Sequence, residues 1–189
     1  MKYDLTKKPT RGAIRTLSSF SSTMLLLLTK KAFEEITVNE LCSLSNFPRA
    51  TFYNYFDDKY DLINYCWHDL ADQIHLEEVP LIDDRQLLNT FFDRLYFLFK
   101  EKQDLLNGVL KYNDYDSFLI GSFVSYMRKV MHALFKEQLE TCDNKIPIEI
   151  ISDHYSNTIL LMLEWVFIQK KTEDLDSIHA YLDYLLKDI

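Results

Sequence analysis

The sequence predicts an all-α fold, and three observations lead there. Glycine and proline are scarce, three and four in 189 residues, too few for the tight turns that join strands in a sheet. Apolar residues recur at three- and four-residue steps along most of the chain, the period of a helix face. Hydrophobic residues make up 48% and charged residues 26%, which suits a globular chain of this length with a sizeable core. The longest apolar run near the N-terminus is Met24 to Leu28. It is far shorter than the ~20 residues of a membrane span, and no small-residue cleavage site follows it. Cys42, Cys66 and Cys142 are odd in number and widely spaced. They outline neither a metal site nor a disulfide framework, and reduced thiols in a cytoplasmic protein are the simplest reading.

The elements follow in order. Residues 1–15 are polar and basic, and Pro9 and Gly12 argue against a helix, so this segment is expected to be a flexible arm carrying Lys7, Lys8, Arg11 and Arg15. From Thr16, the residues Leu17, Phe20, Met24, Leu27 and Leu28 form a helical apolar face. Thr37 with Glu40 three residues on is a capping box for a short helix whose inner face is Val38, Leu41 and Cys42. Ser45-Asn46-Phe47 ends it, because asparagine tolerates the left-handed backbone of a tight interhelical turn. Pro48 suits the first position of the next helix, 48–53. Asp57 or Asp58 caps a third, from Lys59 to about His75. Glu77-Glu78-Val79-Pro80 looks like a boundary. Beyond it, five helical runs are expected at 84–101, 103–112, 115–140, 148–171 and 174–187, the last capped by Thr172. The expected organisation is an arm at 1–15, a unit of short helices with a connecting helix at 16–75 and a larger helical unit at 76–189.

Charge is uneven. Residues 1–56 hold eight lysines and arginines against four acids, a net +4, while the remainder carries −12. A basic head on an acidic body fits a polyanion met at one end, although uneven surface charge needs no partner. A capped short helix, a three-residue turn and a second short helix also outline a helix-turn-helix. In the second helix Arg49 can fork onto guanine O6 and N7, and Ala50 lets the backbone approach base edges. Thr51, Tyr53, Asn54 and Tyr55 can donate to phosphates, and Thr37 at the start of the first helix is counted with them as a DNA-binding candidate. Lys59 is expected to hold a phosphate beside the start of its helix. Phe47, Phe52 and Phe56 read as core. Bases of the arm could enter an A·T-rich minor groove, or the arm could be a plain tail.

The run Ile36-Thr37-Val38, Leu41, Ser45-Asn46-Phe47, Thr51-Phe52-Tyr53-Asn54-Tyr55-Phe56, Lys59 and Leu62 resembles the DNA-binding domain of the TetR/AcrR family of bacterial transcriptional regulators. The resemblance covers roughly residues 16–62, and its register is most similar to the subgroup that includes dihydroxyacetone kinase operon activators. Proline at 48 and alanine at 50 depart from the serine and glycine usual there. The resemblance implies a TetR-like fold, an N-terminal three-helix domain followed by a C-terminal helical bundle. It also implies a homodimer joined through the last two long helices, a pseudo-palindromic double-stranded operator, and a small apolar effector that controls binding. Repression is the expected mode. Activation, or an effector-independent protein of the same fold, is the alternative.

The C-terminal half supplies candidates for an effector pocket in Tyr96, Phe99, Phe123, Tyr126, Met127, Met162 and Trp165, aromatic and thioether side chains that can line an apolar cavity. At helical spacing the same residues equally describe ordinary core. The five histidines make no metal-ligand pattern. No phosphate loop, zinc-hydrolase, nucleophile-elbow or Cys-x-x-Cys motif is present, so neither a cofactor nor an enzyme is expected.

Overall fold

A computed structural model describes residues 10–74, 84–139, 146–171 and 173–186. Among the described residues the regular structure is all helical, with nine α-helices: α1 (Arg11–Leu28), α2 (Val38–Ser45), α3 (Arg49–Tyr55), α4 (Lys59–Asp72), α5 (Asp84–Glu101), α6 (Gln103–Leu110), α7 (Phe118–Leu139), α8 (Ile148–Leu163) and α9 (Leu175–Leu185). A 3-10 turn, Phe33–Glu35, lies between α1 and α2, and a π-helical turn, Glu164–Ile168, extends α8. No described helix is long and apolar enough to cross a membrane.

The chain divides into two compact units. One is residues 1–70 with 104–123, and the other is 71–103 with 124–189. Helices α4 and α7 each run through a division point. The first unit thus contains α6 and the start of α7, a segment the sequence reading groups with the larger helical unit.

In the first unit α1 packs on α2, and α2 on α3. Helix α1 starts earlier than expected, at Arg11. Thr10 is its N-cap, its hydroxyl accepting from the Ala13 N–H at 3.2 Å. With that donor satisfied, Gly12 falls in the first turn, where it does little harm. Arg11 and Arg15 therefore stand on exposed helix surface rather than on an arm. Lys7 and Lys8 lie outside the described residues.

Thr37 caps α2 by accepting from the Glu40 N–H at 3.3 Å. Asn46 ends it in the left-handed conformation, φ 57°. Pro48 is the N-cap of α3 with extended backbone, one position ahead of where the sequence places it. Asp58 caps α4, taking the N–H groups of Tyr60 at 2.8 Å and Asp61 at 3.0 Å. Asp61 answers by accepting from the Asp57 N–H at 2.9 Å.

The core of this unit is aromatic. Phe20 of α1 is fully buried, with the rings of Phe47, Phe52 and Phe56 at 5.5, 5.3 and 6.1 Å. Leu17, Met24, Leu41, Leu62 and Ile63 are buried with it. Residues 104–123 are joined to α1 and the 3-10 turn by Asn113, only 3% exposed. Its Oδ1 accepts from the Phe33 N–H at 2.8 Å, and its Nδ2 donates to Val109 O at 3.0 Å and Leu28 O at 3.4 Å. Gly108 sits against the end of α1: a Cβ there would lie 2.8 Å from that of Thr29. Phe118 stacks on Phe33 at 5.8 Å, and the Trp67 indole N–H donates to Ser122 Oγ at 3.0 Å.

In the second unit α5 packs on α8 and α9, and α8 on α9. Phe91, Phe92, Leu95, Met131, Phe135, Ile159 and Ile178 are buried. His179 of α9 meets Asp93 of α5 at 2.7 Å. Helix α9 is capped by Asp174, which accepts from the Ser177 N–H at 2.7 Å; that bond holds its carboxyl below the usual range. The cap assigned from sequence to Thr172 thus belongs two residues later, where the side chain reaches the third residue of the helix; Thr172 itself lies outside the described residues. Lys170 takes φ 55° after the π-helical turn.

Candidate nucleic-acid interface

Helix α3 is seven residues long, and one side chain holds it down. Phe52 is fully buried against Phe20 and Phe56. At 100° per residue, Ala50 and Asn54 lie nearly opposite Phe52, and Tyr53 and then Arg49 continue that face round one side, about 100° and 60° from Phe52. Arg49, Ala50 and Asn54 are exposed and Tyr53 half-buried. Thr51 and Tyr55, four residues apart, form the flank and are half-buried. Thr37 is exposed at the N-terminus of α2, its hydroxyl engaged in the cap. The structure therefore brings Arg49, Ala50, Tyr53 and Asn54 together on one helix face, as their spacing demands.

Two of these residues are coupled. The Arg49 Nη2–H donates to Tyr53 Oη at 3.1 Å, and the guanidinium carbon lies 5.6 Å from the Tyr53 ring centroid. The Tyr53 ring stands edge-on to Phe52 at 5.4 Å. Arg49 also acts on α2: burial raises the Cys42 pKa, and the Arg49 charge opposes that rise.

Lys59 is placed differently from the sequence reading. Its ammonium donates to three carbonyls, Phe33 O at 2.9 Å, Glu34 O at 2.8 Å and Ile36 O at 3.1 Å. It also stands 4.8 Å from the Phe33 ring centroid. An ammonium has three hydrogens, and here each has a carbonyl. Burial pulls its pKa below the ordinary lysine value, against the opposing effect of Glu34. Lys59 thus fastens the 3-10 turn to the start of α4, and in this structure no donor is left over for a phosphate.

The seven pocket candidates are divided between the two units. Phe123 belongs to the first unit and packs edge-on to Trp67 at 5.0 Å. In the second unit, Tyr96 and Phe99 lie 5.4 and 5.3 Å from Phe167. Tyr126 is half-buried, its pKa raised by burial and by Asp72. Met127 is buried core. Met162 and Trp165 do share a site, an open apolar groove of about 360 Å³ lined with Leu161, Tyr181, Tyr184 and Leu185. The groove lies on the outside of α8 and α9, where Tyr184 is 79% and Leu161 53% exposed. Sequence reasoning missed Asn113, Gly108 and Ser122 as parts of the unit that carries α3.

No family model and no curated protein matches this chain. Solved structures do. A TetR-family regulator from Streptomyces coelicolor A3 is similar at TM-score 0.64 and 9% identity, over 95% of this chain and 97% of that one. The transcriptional regulator FadR from Bacillus subtilis, solved in complex with stearoyl-CoA, is similar at TM-score 0.63 and 11% identity, over 91% and 98%. The dihydroxyacetone kinase operon activator DhaS is similar at TM-score 0.58 and 18% identity, over 92% and 94%. The likeness does not single out the dihydroxyacetone kinase subgroup. At these identities it establishes architecture: the chain has the all-α fold of TetR/AcrR-type regulators, with a helix-turn-helix-like arrangement of N-terminal helices and a C-terminal helical bundle.

Proposed function

We propose that this protein is a sequence-specific DNA-binding transcriptional regulator that works as a homodimer and whose operator affinity is set by a small-molecule effector. The observation that carries the reading is α3. Its exposed face presents an arginine, an alanine, a tyrosine and an asparagine on a short helix fastened by buried phenylalanines. That face is small and polar, suited to base edges in a major groove, while Thr51 and Tyr55 on the flank and Thr37 on α2 suit phosphates. Arg11 and Arg15, exposed on α1, are the described part of a basic N-terminal contact.

Dimerisation through α8 and α9 follows from their exposed apolar side chains. Leu161, Tyr181, Tyr184 and Leu185 line one apolar groove, and Ile150 is a further exposed apolar side chain of α8; exposed apolar surface of this kind is what a self-complementary interface covers. Effector control draws on the continuity of α4 and α7. Each helix has one end in the unit that carries α3 and the other in the second unit, so a ligand ordering the second unit biases the first, with reciprocal effect on its own affinity. The solved likeness to a regulator bound to stearoyl-CoA makes acyl-CoA esters the first ligands to screen. Repression by occupancy of the operator is the adopted mode, with activation as the alternative.

The test is selection of duplexes from a random pool by the full chain. A pseudo-palindromic site, with half-sites read in successive major grooves, is the expected outcome. Arg49→Ala should then relax preference at one base pair per half-site, by about 1–3 kcal/mol. A pool with no enriched sequence at low salt overturns the reading.

A further inference from the structure

We infer that Tyr53 is a positioning residue for Arg49: it holds the guanidinium in its reading orientation, and base preference at one position of each half-site depends on the pair rather than on the arginine alone. The inference rests on the DNA-binding reading and deepens it by naming how the specificity contact is ordered.

An exposed arginine at the start of a short helix has many rotamers, and docking any one of them costs about 2- to 10-fold in affinity. Here three features restrict it. Arg49 and Tyr53 are one helical turn apart, so they face the same way. The tyrosine oxygen accepts from Nη2 at 3.1 Å, which fixes the azimuth of the fork. The guanidinium carbon lies 5.6 Å from the ring centroid, within range of a cation–π attraction. The tyrosine is itself braced, edge-on to the fully buried Phe52 at 5.4 Å. Rigidity thus passes from the phenylalanine core through the Tyr53 ring to the guanidinium.

The chemistry leaves the reading function intact. A guanidinium has five N–H groups, and Tyr53 takes one. The four others still offer a parallel pair to guanine O6 and N7, the acceptors that such a fork matches. A lysine at 49 would lack the planar fork, and a phenylalanine at 53 would keep the ring and lose the oxygen. The sequence suggests that the Tyr53 hydroxyl donates to a phosphate; in the structure its oxygen accepts from Arg49, which leaves the O–H able to donate.

The experiment uses the full chain, a duplex selected from a random pool, and the set of its single-base variants. Binding is measured for Tyr53→Phe, Arg49→Lys, Arg49→Ala and the double variant Arg49→Ala/Tyr53→Phe, with melting temperatures to verify folding. The expected result is a loss of about 2- to 10-fold in discrimination for Tyr53→Phe, confined to the base pair that Arg49→Ala relaxes. The double variant should discriminate no worse there than Arg49→Ala, and Arg49→Lys should lose the preference although the charge remains. Uniform weakening on every duplex by Tyr53→Phe, with discrimination intact, overturns the inference and returns the tyrosine to a phosphate. Multiplying effects of the two single changes overturn it as well. If Arg49→Ala relaxes a position and Tyr53→Phe changes nothing, the positioning role falls while the DNA reading stands. If no duplex is selected at all, the DNA reading falls and takes this inference with it.

Discussion

The outer face of α3 and the outer faces of α8 and α9 are both stretches of uncovered helix, yet they differ in kind. On α3 the exposed residues Arg49, Ala50 and Asn54 are polar or small, and the helix is held by the fully buried Phe52. On α8 and α9 they are Ile150, Leu161, Tyr181, Tyr184 and Leu185, with an apolar groove between the helices. A polar face is costly to strip of water and so suits a hydrated, charged partner, since protein–DNA interfaces are wet and polar. An apolar face left uncovered suits a dry, self-complementary partner. The same chain carries both because each is supported differently. The α3 face needs rigidity, supplied by ring packing and a left-handed Asn46. The α8–α9 face needs continuous area, supplied by two helices lying side by side.

The largest expected effect tests what supports the α3 face. Asn113→Leu keeps the volume but leaves the buried Phe33 N–H and Leu28 carbonyl without their partner. Orphaning such groups costs about 2–4 kcal/mol, and urea denaturation reads it. The same loss should appear in operator binding at temperatures near the new midpoint. Wild-type stability in this variant would detach residues 104–123 from the support of α3.

Next comes Lys59→Met, which removes the ammonium from three carbonyls while keeping the stem. A loss of about 1–3 kcal/mol is expected, with the log–log salt slope of operator binding unchanged at temperatures where the variant stays folded. A slope reduced by about one unit would instead mean a phosphate contact and would move Lys59 from the support to the face.

The opposite face is tested by Leu161→Asp with Tyr184→Asp. Both side chains are exposed, so the fold should hold, and the melting curve of the isolated chain should move little. Placing carboxylates in a dry interface should weaken self-association by about 30-fold or more, the equivalent of about 2 kcal/mol. Sedimentation across concentration measures it, and a dimer of unchanged affinity would place the interface elsewhere.

The smallest effect is at Lys170, whose φ of 55° disfavours any side chain with a Cβ. Lys170→Gly should stabilise the second unit by up to about 1 kcal/mol, read as a higher urea midpoint. Destabilisation would mean that the lysine side chain compensates for its own strain.

Local rules were readable from the chain alone. Thr37 three residues before Glu40 announces a cap because a hydroxyl at that position reaches one orphan N–H and no more distant residue is needed. Asn46 between two apolar runs announces a left-handed turn for the same kind of reason: its own side chain lowers the cost. The spacing of Arg49, Ala50, Tyr53 and Asn54 places them on one face, since helix geometry alone sets the angle. Helix runs such as 84–101 and 148–171 follow from periodicity, and the all-α class from their sum. What the chain alone did not tell depends on partners distant in sequence. Thr10 overrides Gly12 at the start of α1, and Asp174 rather than Thr172 caps α9, because side-chain reach decides between nearby candidates. Asn113 lies 80 residues from Phe33, and no periodicity marks a loop asparagine as buried. Lys59 reads as a free cation until the 3-10 turn brings three carbonyls to it. Sequence determines which short-range hydrogen bonds and apolar stripes are available; only tertiary structure decides which polar group meets which, because a charge or amide is satisfied by whatever lies within about 3 Å, wherever in the chain it comes from.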